Sequence, residues 1–238
     1  MTTTRKLALW GGVLYLITFV FSIPTLGLKE SVLDHVDFIT GSGSENSVVW
    51  ASVFDVICGL AGIGTAVALY PVTRRVGRSG AVGFLASRTL EASILFVGAI
   101  SLLSIVTLRQ DVAGSADPDT LITVGRSLVA VHDWSFLLGP GVMPAVNALF
   151  LATIMYRARL VPRWIPTLGL VGAPLLLVSA IAVAFGGWEQ VSGRSLLLTL
   201  PIAIWELSLG VYLTVKGFKP SPVLDDPPVT SGTHAMAA

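Results

Sequence analysis

Six stretches of about twenty apolar residues, each long enough to cross a bilayer, run through this 238-residue chain. Four carboxylates, one arginine and one histidine are embedded in them. A helix needs ~20 such residues to span a ~30 Å hydrocarbon core. Backbone polar groups at that depth are satisfied only in helices or closed barrels. The chain is therefore expected to form an all-α integral membrane bundle of six transmembrane helices. Composition agrees: 53% of residues are hydrophobic and 12% charged, with mean hydropathy +0.81, against roughly 25% charged residues in soluble domains. The net charge of +1 gives no purchase on nucleic acid. No aqueous segment is long enough for a soluble catalytic domain.

The spans are expected at Leu7–Leu26, Val48–Val72, Gly80–Thr107, Leu128–Tyr156, Trp164–Phe185 and Leu196–Val215. Arg5 and Lys6 before the first run look like the start of a signal peptide. However, that run exceeds the ~7–15 residues of a signal core, and Ser22-Ile23-Pro24-Thr25 is a poor cleavage site. It reads as an uncleaved span. Orientation follows from basic residues. Arg5, Lys6, Arg74, Arg75, Arg78, Arg157, Arg159, Arg163, Lys216 and Lys219 flank the spans on one side, and Lys29, Arg109, Arg126 and Arg194 on the other. This ten-to-four bias predicts both termini in the cytoplasm, in a multi-pass protein of the cell membrane. Residues 1–219 read as one membrane domain. The polar, proline-rich stretch 220–238 reads as a disordered cytoplasmic tail.

The fourth span carries its own interruption. Asp117-Pro118 is a helix start, with Asp as N-cap and proline at the first helical position. Further on come Gly139-Pro140-Gly141 and Pro144. Two prolines remove two backbone donors and press on preceding carbonyls, which predicts a kink or break near Gly139–Pro144. Non-helical backbone at that depth must face protein or a wet cavity.

Depth separates the embedded polar residues into two layers. At ~1.5 Å per residue, Arg88 lies ~12 Å and Glu91 ~16 Å from the cytoplasmic surface, and Glu206 is also near the midplane. Asp55, His132 and Asp133 form a layer nearer the outer surface. Arg88 and Glu91, three residues apart, share a helix face and are expected to pair. Asp55, Asp133 and Glu206 then have only His132 within the spans as a source of positive charge. A lone carboxylate in low dielectric takes a proton or a ligand instead of staying charged, so Glu206 is expected to be neutral at rest.

Helix faces carrying Ala51, Asp55, Gly59 and Gly62, then Asp133, Pro140, Pro144 and Asn147, then Thr199, Ala203, Glu206 and Gly210 point to a central polar pocket. Its candidate residues are Asp55, Arg88, Glu91, His132, Asp133, Asn147 and Glu206. The fifth span offers only Thr167 and Ser179 and is expected at the periphery.

Common catalytic templates are absent: no Gly-rich phosphate loop, no HExxH and no Cys/His cluster. His132 is the only histidine within a span, so neither a metal nor a cofactor is expected. The single cysteine, Cys58, has no intrachain partner and reads as a packing residue. The leading function is binding or transport of a small lipophilic or ionic ligand, or of a proton. The alternative is an enzyme whose protonated carboxylic acid, from Glu206, Glu91 or Asp133, acts on a lipid-like or isoprenoid substrate. A structural or accessory role ranks third. The expected partners are the lipid bilayer and that ligand, with homo-oligomerisation left open.

Short motifs add a family. Asp55, Leu69-Tyr70, Arg88-Thr89-Leu90-Glu91, His132-Asp133, and Val161-Pro162-Arg163-Trp164 leading to Leu168-Gly169 occur in this order. In order and spacing the chain resembles a bacterial family of six-span membrane proteins known mainly as a domain of unknown function. The resemblance covers about residues 5–216. It implies six spans and a polar intramembrane cluster, and no settled activity.

Overall fold

A computed structural model of the chain describes residues 1–35, 38–41, 43–112 and 117–225. The described elements are helices: α1 (Thr3–Leu33), a 3-10 turn (Phe38–Thr40), α2 (Glu45–Val76), α3 (Arg78–Val112), α4 (Pro118–Leu138), α5 (Met143–Arg157), α6 (Trp164–Ala184), α7 (Gly193–Val215) and the short α8 (Pro222–Asp225). Four of them start on side-chain caps. Thr2, Ser44, Asp117 and Ser192 accept the backbone N–H of Arg5, Ser47, Thr120 and Ser195, satisfying donors that a helix start leaves free. Counting α4 and α5 as one interrupted span, six helices are long and apolar enough to cross a membrane.

The surface suits lipid. Val20, Leu60, Ile100, Val178 and Leu197 are exposed, whereas Ser52, Thr65 and Asn147 are buried. In a membrane the apolar side chains already have an apolar solvent, so packing and polar contacts hold the interior together.

Neighbouring spans touch in chain order, and α7 returns to α1, which closes a ring of six. The fifth span, α6, is an equal member of that ring and not peripheral: it packs on both α5 and α7. Glycines set the closest approaches. A Cβ on Gly12 would lie 2.6 Å from the Thr214 backbone nitrogen and 2.7 Å from the Gly210 carbonyl oxygen. α1 and α7 meet backbone to backbone there, as small residues allow. Arg5 seals the same junction. Its guanidinium donates to the carbonyls of Leu213 (2.8 Å), Thr214 (2.7 Å) and Val215 (3.1 Å) in the last turn of α7, at the negative end of the helix dipole.

The interior is closed unevenly. At the end carrying the termini, a large apolar cluster includes Tyr15, Leu69, Phe84, Leu151, Trp205 and Leu213 and draws on all six spans. At the far end a smaller cluster joins Val32, Phe38, Ile39, Val48, Leu102 and Leu121. Its members come from α1 to α4 and the 3-10 turn, and none from α6 or α7. The far halves of α6 and α7 are thus left out of the seal.

Two expected boundaries move. α1 runs on to Leu33 and takes Lys29 from an expected loop into a buried helical position. Residues 220–225 belong with the bundle and not with a tail. The Ser221 hydroxyl donates to the Ala158 carbonyl at 2.9 Å, and Val223 and Leu224 rest on the larger cluster. The remainder of the expected tail, 226–238, lies outside the described residues.

Candidate functional site

The expected break in the fourth span is present. Helix α4 stops at Leu138 and α5 resumes at Met143. Between them the Gly141 N–H reaches back to the Phe136 carbonyl at 3.0 Å and the Met143 N–H to the Gly139 carbonyl at 2.9 Å. A Cβ on Gly141 would collide with the Leu137 carbonyl oxygen, so only glycine lets the chain turn this tightly. Pro140 and Pro144 line a central cavity of about 320 Å³. The irregular backbone therefore faces that interior space, as its depth demands.

The cavity is walled by residues from every span: Thr18, Phe19 and Ile23 of α1, Asp55 and Cys58 of α2, Glu91 and Leu95 of α3, Phe136 of α4, Leu176 of α6, and Ala203 and Glu206 of α7. Ile23 and Leu26, on the far half of α1, line it while remaining largely exposed. The large apolar cluster lies between the cavity and the end that carries the termini.

Arg88 is the centre of its polar floor. One guanidinium nitrogen, Nη1, donates to Glu91 Oε2 at 2.9 Å, and Nη2 donates to Glu206 Oε1 at 2.7 Å. Asn147 Nδ2 donates to the same Glu91 oxygen at 2.6 Å. The ring of Tyr15 lies 5.0 Å from the guanidinium carbon and that of Phe84 5.9 Å from it, positions suited to cation–π attraction. Arg88 is 4% exposed. Buried polar atoms are normally paired, yet Arg88 Nε and Asn147 Oδ1 have no hydrogen-bond partner among the described residues. One cation thus stands between two carboxylates. Glu206, expected to lack a cation, has Arg88 as its partner.

A second ion pair sits on the far side of the cavity. Lys29 Nζ is 2.7 Å from Asp55 Oδ2, and both side chains are buried. Lys29 also lies 5.5 Å from the centre of the Phe136 ring. Sequence reasoning missed Lys29 because it follows Gly27-Leu28 at the expected end of the first span. The extra turns of α1 were the unread signal.

His132 and Asp133 part company. His132 is buried and stacks on Phe136, with ring centres 6.0 Å apart. Its Nδ1 is 3.1 Å from Asp133 Oδ1, but the Asp133 side chain is 56% exposed. Asp133 lines a different cavity of about 160 Å³ with His35, Phe38, Ile39 and Arg126. The expected common face of Asp133, Pro140, Pro144 and Asn147 does not form, because the break at Gly139 changes the rotation of the helix downstream. Of the candidate residues, Asp55, Arg88, Glu91 and Glu206 line the central cavity and Asn147 supports it. His132 lies within electrostatic reach of Asp55, and Asp133 lies apart. Among the described residues, no three His, Cys, Asp or Glu side chains are grouped to hold a metal ion.

Charge can now be counted around the cavity. Lys29 balances Asp55, while Arg88 faces both Glu91 and Glu206. If all are ionised the inner cluster carries one net negative charge, so it is completed by one proton or one bound cation.

No curated protein and no solved structure matches the chain. A family model described as Domain of unknown function (DUF4386) matches residues 10–217, all of the six-span bundle but the first turns of α1, and the chain belongs to that family.

Proposed function

We propose that this protein binds or transports a small amphiphilic ligand in the central cavity, which is reached from the end opposite the termini. The observation that carries this reading is the cavity itself, shared by all six spans and containing Asp55, Arg88, Glu91 and Glu206. Phe19, Ile23, Leu95, Phe136 and Leu176 give an apolar wall for the body of a ligand, and the acids and Arg88 give its polar end partners. Such a mix of apolar lining and a few convergent polar groups is the usual make-up of a small-molecule site. Charges buried in a membrane bundle commonly mark a ligand or ion path.

Native mass spectrometry of protein extracted with its own lipids tests this reading. A small-molecule adduct is expected on the wild type and on Val178→Trp, a change on the exposed face of α6. It is expected to be lost from Ala203→Trp, which fills the cavity. A wild type without an adduct, or an adduct kept by Ala203→Trp, overturns the proposal.

The access side depends on orientation in the cell membrane, for which the ten-to-four basic bias puts both termini in the cytoplasm. In a Cys58→Ser background, Asp117→Cys is expected to react with an impermeant maleimide on intact cells. Ser79→Cys is expected to react only after permeabilisation; both positions are exposed at helix starts. The reverse pattern would invert the topology.

A further inference from the structure

We infer that the cavity selects a monocation, an amphiphile carrying a primary or secondary ammonium group, and this rests on the cavity being a ligand site. Arg88 occupies Glu91 Oε2 and Glu206 Oε1. The other oxygen of each carboxylate accepts no hydrogen bond from the described residues, and both acids line the cavity. Asn147, 1% exposed, donates its Nδ2 to Glu91, and its Oδ1 is a further acceptor that has no partner among the described residues.

The one free donor beside them among the described residues, Arg88 Nε, is itself buried on a guanidinium already shared by the two acids, so acceptors predominate and match a donor such as an ammonium N–H better than a second carboxylate or a phosphate. Net charge points the same way. The Lys29–Asp55 pair is balanced, whereas the inner cluster with both acids ionised is short of one positive charge, and an ammonium group supplies it in place of a proton without adding a further unpaired ion. A lone unpaired charge inside a membrane bundle is costly, so recognition here has a large electrostatic component. The remaining wall includes Phe19, Leu95 and Phe136, which suits an aromatic or aliphatic body, and aromatic faces tolerate a nearby ammonium.

Three soluble probes of one size isolate the charge: 2-phenylethylammonium, 2-phenylethanol and phenylacetate. Binding is read by saturation-transfer NMR on protein in nanodiscs, with empty nanodiscs subtracted. Cys58, which lines the cavity and is the single cysteine, reports location through protection from N-ethylmaleimide. The expected result is binding of the ammonium at least about ten-fold tighter than the alcohol, equivalent to about 1.4 kcal/mol, with phenylacetate excluded. Only the ammonium should slow modification of Cys58, and Glu206→Gln should remove its advantage over the alcohol.

Equal binding of ammonium and alcohol in the cavity overturns the charge preference and leaves the ligand-site reading standing. Preferred binding of phenylacetate overturns the charge preference as well. Binding of the ammonium without protection of Cys58 places it elsewhere and also sinks the inference. Failure of all three probes, together with an adduct-free wild type, removes both readings. If Glu206→Gln fails to fold, the three probes on the wild type still decide the charge preference.

Discussion

Replacement of Arg88 by methionine is expected to cost about 3–5 kcal/mol of stability, the range for breaking a buried ion pair by removing one partner. Two half-buried carboxylates would then share the cavity floor without the cation that pairs them. Loss of the flanking rings' contact with the guanidinium adds to the deficit. Replacing either acid is a different matter. Glu206→Gln or Glu91→Gln leaves Arg88 with one carboxylate and a neutral side chain that still accepts a hydrogen bond, so each change is expected to stay within about 1 kcal/mol. The triple variant, Arg88→Met with both glutamines, should recover most of the loss, because no uncompensated charge remains. The midpoint of SDS-induced unfolding in mixed micelles measures all four variants. If Arg88→Met is as mild as the single glutamines, or if the losses simply add in the triple variant, the three residues do not act as one unit.

A comparable loss is expected at the Lys29–Asp55 pair. Lys29→Met strands Asp55, which is 4% exposed, and should cost about 3–5 kcal/mol in the same assay. Lys29→Met combined with Asp55→Asn should be much milder than either single change. The distinction matters because an exposed lysine in a loop, the position first expected of Lys29, would show an effect of only about 0–1 kcal/mol. A near-neutral Lys29→Met therefore returns Lys29 to the surface and leaves Asp55 as an unpaired acid in the cavity wall. Both experiments read charge pairing directly and need no knowledge of the ligand.

Much of this architecture was already legible in the residues, for reasons local to the chain. The number of spans follows from runs of apolar residues against a fixed bilayer thickness. The break in the fourth span follows from what proline and glycine do to a helix wherever they occur. Asp117-Pro118 marked the start of α4 because capping depends on immediate neighbours. The pairing of Arg88 with Glu91 was readable because residues three apart share a helix face.

Partners across the bundle were not readable in the same way. Glu206 reaches Arg88 over a separation of 118 residues, and no helical period connects them. The pair exists because α7 closes the ring against α1 and so turns Glu206 inward. Falling hydropathy at Gly27 predicts a loop for Lys29, yet helix α1 continues to Leu33 and its packing on α2 brings the ammonium to Asp55. An unbroken helical spacing places Asp133 in the pocket, whereas the turn at Gly139 resets the rotation between it and Asn147. How many helices cross and where one must break are written in local residue patterns, whereas burial is not: Lys29 lies buried and the Asp133 side chain is 56% exposed. Which charges meet and which one is left over is set by packing, because pairing depends on helix rotation and contacts over distances that local periodicity does not encode.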